Sequence, residues 1–132
     1  MLALAVGSAA IAQQGQRLSS EAAHTQAARG GLVIVDIRAP SEWRRSGVAQ
    51  GAKLISMYQP RSAFTAKIKA LQASGKRVAL ICAGGVRSKR MQRALQATGV
   101  TGVIDVTDGM LGGRYGRGWI RAGLPTRTFT PK

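Results

Sequence analysis

The stretch Arg77-Val-Ala-Leu-Ile-Cys82-Ala-Gly-Gly-Val-Arg87-Ser88-Lys-Arg-Met-Gln-Arg93 carries the signal around which the chain is organised. Val78, Leu80 and Ile81 form a short apolar, β-favouring run that ends at Cys82, the only cysteine in 132 residues. A strand therefore delivers a thiol to its own C-terminal end. Ala83, Gly84, Gly85 and Val86 make a small, glycine-rich loop. After Arg87 and Ser88, residues Met91, Ala94, Leu95 and Thr98 recur at helical spacing until Gly99, the expected C-cap.

That order has chemical content. In a tight loop over a helix N-terminus, successive backbone N–H groups converge on one atom and the helix dipole adds partial positive charge, both of which favour thiolate over thiol. Gly84 and Gly85 supply the positive-φ freedom that a loop curling around a single sulfur needs. Arg87 is placed either to hold the loop or to orient an anionic substrate. The plain alternative for Cys82 is a small buried hydrophobe at a strand end. No metal site is expected, since no second cysteine exists and His24 is the only histidine.

Cys82-Ala-Gly-Gly-Val-Arg87-Ser88 resembles the active-site loop of the rhodanese (sulfurtransferase) domain family, in which Cys-x4-Arg-Ser or Thr follows a parallel strand. Further matches stand in family order: Val33-Ile-Val-Asp36-Ile-Arg38, Pro40-Ser-Glu42-Trp43, Gly51-Ala52, and Gly118-Trp119 with Ala122-Gly-Leu-Pro125. The resemblance spans residues 19–126 and implies a three-layer α/β fold, a central parallel β-sheet with helices on both faces. Alternation of strand-like and helical segments points to the same class. Two departures stand out. Where the family commonly has Gly-His-Ile-x-Gly-Ala, this chain has Gly47-Val-Ala-Gln-Gly51-Ala52, without the histidine. Residues 112–118, Gly-Gly-Arg-Tyr-Gly-Arg-Gly, add glycines and arginines before Trp119 and read as a flexible basic loop, either an anion-recruiting lid or a surface insertion.

Charge is the unusual feature of the composition. Twenty Lys and Arg against five Asp and Glu leave a net +15, and twelve basic residues but no acidic one lie between Trp43 and Ile104. The basic residues are dispersed and not interleaved with the few aromatics, so a nucleic-acid partner is not expected; a solvated surface that steers small anions is. Leu2 to Ala12 is an apolar run of signal-peptide length ending in Ala10-Ile11-Ala12, with no basic residue before it. Export to a periplasm is expected if residues 1–12 are a cleaved signal peptide, and a cytoplasmic protein if they are not. The run is too short for stable membrane insertion.

Four units are thus expected: residues 1–12, a polar leader 13–18, one domain 19–126, and a solvated tail 127–132. Within the domain, helices are expected from Ser19-Ser20-Glu21 to Ala28, with His24 on an exposed face; from Pro40 to Gly47, with Trp43 packing; and from a Ser62 cap to Gly75. Strands are expected at 32–37, 52–57 and 101–106. Asp36 and Arg38 end the first of these on the ligand-binding edge of an open α/β sheet. They are candidate accessory residues, although the resemblance implies that they order neighbouring loops.

The expected activity is transfer of a sulfane sulfur from thiosulfate or a similar donor, through a Cys82 persulfide, to cyanide, a small thiol or a protein thiol. Residues 83–88 would bind the substrate, with the N–H groups of residues 83–87 on the sulfur. Arg87, helped by Lys89 or Arg114, would hold the sulfonate end. No cofactor is expected, and one chain is expected to act as a monomer. The alternatives are a persulfide carrier or anion- and protein-binding module, and a cysteine phosphatase or arsenate reductase. The phosphatase loop is Cys-x5-Arg, one residue longer than the four that separate Cys82 from Arg87.

Overall fold

The computed structural model of the protein describes residues 15–131, so the apolar segment 1–12 with its Ala10-Ile11-Ala12 end lies outside the described residues. The elements in chain order are β1 (Gln16–Leu18), α1 (Ser20–Ala28), β2 (Leu32–Asp36), α2 (Pro40–Ser46), β3 (Val48–Ala49), β4 (Lys53–Leu54), α3 (Arg61–Ala73), β5 (Arg77–Ile81), α4 (Val86–Ala97), β6 (Ile104–Val106), α5 (Gly118–Arg121) and β7 (Thr126–Arg127). Five strands form one parallel sheet in the order β1-β6-β5-β2-β4. This is the expected α/β architecture.

The continuous apolar runs of β2 and β5 exist because both faces of the sheet are covered. Val33, Val35, Val78 and Leu80 pack on Phe64 and Ile68 of α3 and on Met91 and Leu95 of α4. Their neighbours in the alternation, Leu32, Ile34, Ala79 and Ile81, pack on Ala23 of α1, Met110 and Trp119. Parity then fixes the thiol. Cys82 follows Val78 and Leu80 at intervals of two, so its side chain joins the face shared with α3 and α4.

Several expectations need correction. Gln16–Leu18 is an edge strand rather than a leader, in register with Ile104–Val106, because the exposed edge of β6 offers backbone partners that sequence pattern does not report. The tail does not leave directly into solvent: Thr126–Arg127 pairs antiparallel with Val48–Ala49, and Phe129 stands edge-on to the buried Trp43 with ring centroids 5.3 Å apart. Strand 52–57 shrinks to Lys53–Leu54, although the N–H groups of Ile55 and Met57 still donate to the carbonyls of Asp36 and Ile37. Pro60, not Ser62, sits at the start of α3 and no side chain caps it; Ser62 already lies inside the first turn. His24 is half-buried, 5.5 Å edge-on from Trp119.

Candidate active site

The loop that follows β5 closes on one sulfur atom. Cys82 is buried, and its Sγ accepts from the backbone N–H of Gly85 at 3.1 Å and of Ser88 at 3.4 Å. Gly85 is the N-cap of α4 and has φ +97°, the left-handed conformation that turns its N–H inward. Val86 therefore belongs to the first turn of α4 and is exposed. The expected set of N–H groups from residues 83–87 is thereby corrected: the sulfur bonds shown come from Gly85 and, one residue beyond that set, from Ser88.

Ser88 links the sulfur to the next strand. Its hydroxyl lies 3.3 Å from Cys82 Sγ and donates to Asp105 Oδ1 of β6 at 2.6 Å. Burial pushes the Asp105 carboxyl up, against the pull of the Ser88 bond and the nearby positive charges of Lys89 and Arg17.

Arg87 does something other than face the sulfur. Its two terminal nitrogens bind the two oxygens of Glu42 at 2.8 and 2.7 Å, and one also donates to Tyr58 Oη at 3.1 Å. Of the two roles expected for it, this geometry is that of holding the loop: the fork is matched by a carboxylate of this chain, a bidentate pairing that fixes the loop to α2. Hydrogen bonding from Arg87 holds the Glu42 carboxyl down at about 2, and the same bond raises the Arg87 guanidinium.

Asp36 and Arg38 support that anchor. The buried Arg38 side chain donates to both Asp36 oxygens at 2.8–3.2 Å and reaches Ser46 Oγ and the Gly47 carbonyl at the far end of α2. Glu42 also accepts from the Ala39 N–H at 3.0 Å. Both ends of the helix that carries Glu42 are thus fixed. Lys89 is half-buried near Asp105, and Arg114 is exposed with its guanidinium 5.9 Å from the centre of the Tyr115 ring.

Segment 107–113 forms the second wall of the loop. The N–H groups of Met110 and Leu111 donate to the carbonyls of Cys82 and Ala83 at 2.8 and 2.9 Å. Residues 112–118 are not the open flexible loop the sequence led us to expect. Gly113 and Gly116 bridge each other, and Gly118 N–H donates to the buried Asp108 carboxylate. Asp108 in turn accepts from the Ser20 N–H and hydroxyl. A Cβ on Gly113 would lie 3.0 Å from the Gly84 carbonyl oxygen, so the turn abuts the sulfur loop directly.

The profile of the rhodanese-like domain matches residues 19–113. The chain belongs to the rhodanese-like domain family. Solved structures similar to it include a Rhodopseudomonas palustris protein of unknown function described as a possible tyrosine phosphatase, with 27% identity, TM-score 0.64, and 86% of this chain and 85% of that one covered. A thiosulfate sulfurtransferase of Pseudomonas aeruginosa matches at 24% identity and TM-score 0.65 over 86% of this chain and 20% of that one. The homodimeric polysulfide-sulfur transferase of Wolinella succinogenes matches at 18% identity and TM-score 0.60 over 98% and 90%. Among curated protein sequences no match is found.

Within this rhodanese-like domain, Glu42, Tyr58, Asp105 and Asp108 are the site residues that sequence reasoning did not assign. The ion pair of Glu42 and Arg87 makes a direct prediction. A carboxyl at about 2 when folded against an ordinary 4.5 contributes stability that is present above about pH 4.5 and lost as pH falls toward 2. With both side chains about a quarter exposed, solvent screening leaves roughly 1–2 kcal/mol of the gross effect. Glu42→Gln is expected to be less stable by that amount in urea unfolding at pH 7, and the two proteins are expected to converge as pH drops through this window. A difference independent of pH would assign the loss to packing instead.

Proposed function

We propose that the protein is a sulfurtransferase that carries a sulfane sulfur on Cys82. The observation that supports this best is the fit of the loop to a single sulfur, with two N–H donors on Sγ and four residues between Cys82 and Arg87. Cys82 thiolate attacks the outer sulfur of thiosulfate or a comparable donor. The donor S–S bond breaks, its electron pair leaves with sulfite, and Cys82 becomes a persulfide. An acceptor then attacks the outer sulfur and returns the electron pair to Cys82 as thiolate, giving thiocyanate from cyanide or a new persulfide from a thiol. Fixed N–H dipoles stabilise the sulfur anion before and after transfer without reorganising. With Arg87 engaged by Glu42, attraction of an anionic donor falls to the field of the exposed Arg and Lys side chains.

A phosphatase reading fits less well. Phosphate needs a wider cradle and a free guanidinium across from the thiolate, and here both Arg87 nitrogens are committed to Glu42. Intact mass of the purified protein, read before and after thiosulfate and again after cyanide, tests the proposal. One added sulfur that cyanide removes is the expected result. An unchanged mass, with Cys82 open to alkylation, would replace thiosulfate with another donor or with a carrier role.

A further inference from the structure

The surface around the sulfur loop combines two properties that do not belong to a site for small anions alone. Of the five large apolar side chains exposed among the described residues, four sit on or against the loop: Tyr58 (61% exposed), Val86 (61%), Leu111 (48%) and Tyr115 (55%). Each is attached to it. Tyr58 is bonded to Arg87 on one flank and Val86 opens α4 directly after the loop residue Gly85. On the other flank Leu111 donates its N–H to Ala83, and Tyr115 sits in the turn that abuts Gly84. Exposed apolar side chains gathered at one place mark an interaction surface, and aromatics beside arginines are its usual anchors.

The second property is charge. Asp36, Asp105 and Asp108 are buried and Glu42 is held by Arg87, which leaves Glu21 as the one exposed acidic residue among the described residues, against sixteen exposed Lys and Arg. Arg90 shares the helix face of Val86 one turn on, Arg61 follows Tyr58 by three residues, and Arg114 and Arg117 flank Tyr115; all four are exposed. A partner that covers this rim must bring carboxylates and apolar groups together. A small anion cannot cover four large side chains. A nucleic acid supplies charge but no use for the aliphatic Val86 and Leu111.

Cys82 itself is buried, so whatever reaches it must be slender. The outer sulfur of a persulfide would stand about 2 Å further out, within reach of an extended cysteine side chain. We propose that the sulfur acceptor is a cysteine presented on the acidic surface of another protein, docked over the rim formed by Tyr58, Val86, Leu111 and Tyr115. This rests on the sulfurtransferase reading. The acceptor thiolate attacks the outer sulfur, the S–S bond breaks, Cys82 leaves as thiolate, and the acceptor holds the persulfide.

The probe is a synthetic peptide with one cysteine flanked by Glu and Leu, beside a counterpart with Lys in place of Glu, both given to sulfur-charged protein at equal peptide-thiolate concentration. The acidic peptide is expected to accept sulfur at least about tenfold faster at low salt, with the advantage shrinking at high salt. Leu111→Ser with Tyr115→Ser should remove that advantage and leave cyanide turnover unchanged. Equal rates for the two peptides, or a variant that slows peptide and cyanide alike, would overturn the proposal. A labelled acidic peptide with serine for cysteine tests the surface separately, by anisotropy on uncharged protein. Binding lost in the double variant supports the rim even if Cys82 takes up no sulfur, and no binding rejects it even if Cys82 does. Random-sequence DNA that binds more tightly than the peptide and depends equally on Leu111 and Tyr115 would reassign the surface to nucleic acid.

Discussion

Replacing Cys82 with serine is expected to abolish persulfide formation and to lower thiosulfate:cyanide sulfur transfer by at least about three orders of magnitude, the scale on which loss of a covalent nucleophile is felt. A hydroxyl at this position still accepts from Gly85 and Ser88, whose N–H groups lie 3.1 and 3.4 Å from the sulfur, so the loop keeps its hydrogen bonds. The side chain is slightly smaller but remains in the same buried place at the end of β5. Thermal unfolding should therefore shift by only a few degrees while the chemistry disappears, which separates a chemical role from a structural one. Measured by cyanide turnover and by intact mass, activity that survives in Cys82→Ser would mean that sulfur travels by another route and would end the assignment.

The parts of this architecture that sequence made legible are those whose physics is local. Leu32–Asp36 and Arg77–Ile81 read as buried parallel strands because both faces are covered, so the positions from Val78 to Ile81, after the exposed Arg77, and those from Leu32 to Val35, are all apolar. The sulfur loop was legible because a thiol, two glycines, an arginine and a serine fall within the seven residues that lead from a strand into a helix. Gln16–Leu18 and Thr126–Arg127 were not. Their strand character comes from backbone partners far along the chain, Ile104–Val106 and Val48–Ala49, and leaves no pattern in so few residues.

Pairing of Arg87 with Glu42 across 45 residues was hidden for the same reason. A signal for it did exist. In a chain with twenty basic and five acidic residues, each acidic side chain has many suitors, and one that folding places in a partly buried site marks a cation the structure needs fixed. Asp36 and Glu42 fit that rule by holding Arg38 and Arg87, while Asp105 and Asp108 hold neutral donors instead, the Ser88 hydroxyl and the Ser20 and Gly118 amides. Scarcity of acids was the clue to the scaffold of the site, whereas the abundance of bases describes its surface.

Replacing Gly85 with alanine is the change expected to damage fold and chemistry together. At φ +97° an alanine carries a left-handed penalty of roughly 1–2 kcal/mol. Its Cβ would also stand 2.1 Å from the Thr107 carbonyl oxygen and 3.0 Å from the carbonyl carbon. Those are backbone atoms of the segment whose Met110 N–H holds the Cys82 carbonyl, so relief requires the two walls of the loop to part, at a further cost of about 1–3 kcal/mol. Parting them moves the Gly85 N–H off the sulfur, and loss of one such donor is expected to slow persulfide formation about 100-fold or more. Gly30→Ala is the control, since Gly30 has φ +81° but no atom within 4 Å of an added Cβ. It should bear the conformational penalty alone and keep full sulfur transfer. If Gly85→Ala melts no lower than Gly30→Ala and turns over like the parent protein, the loop does not need the tight closure on sulfur described here. If it loses both stability and transfer while Gly30→Ala loses only stability, the contact between residues 85 and 107 is what holds the N–H groups on the sulfur.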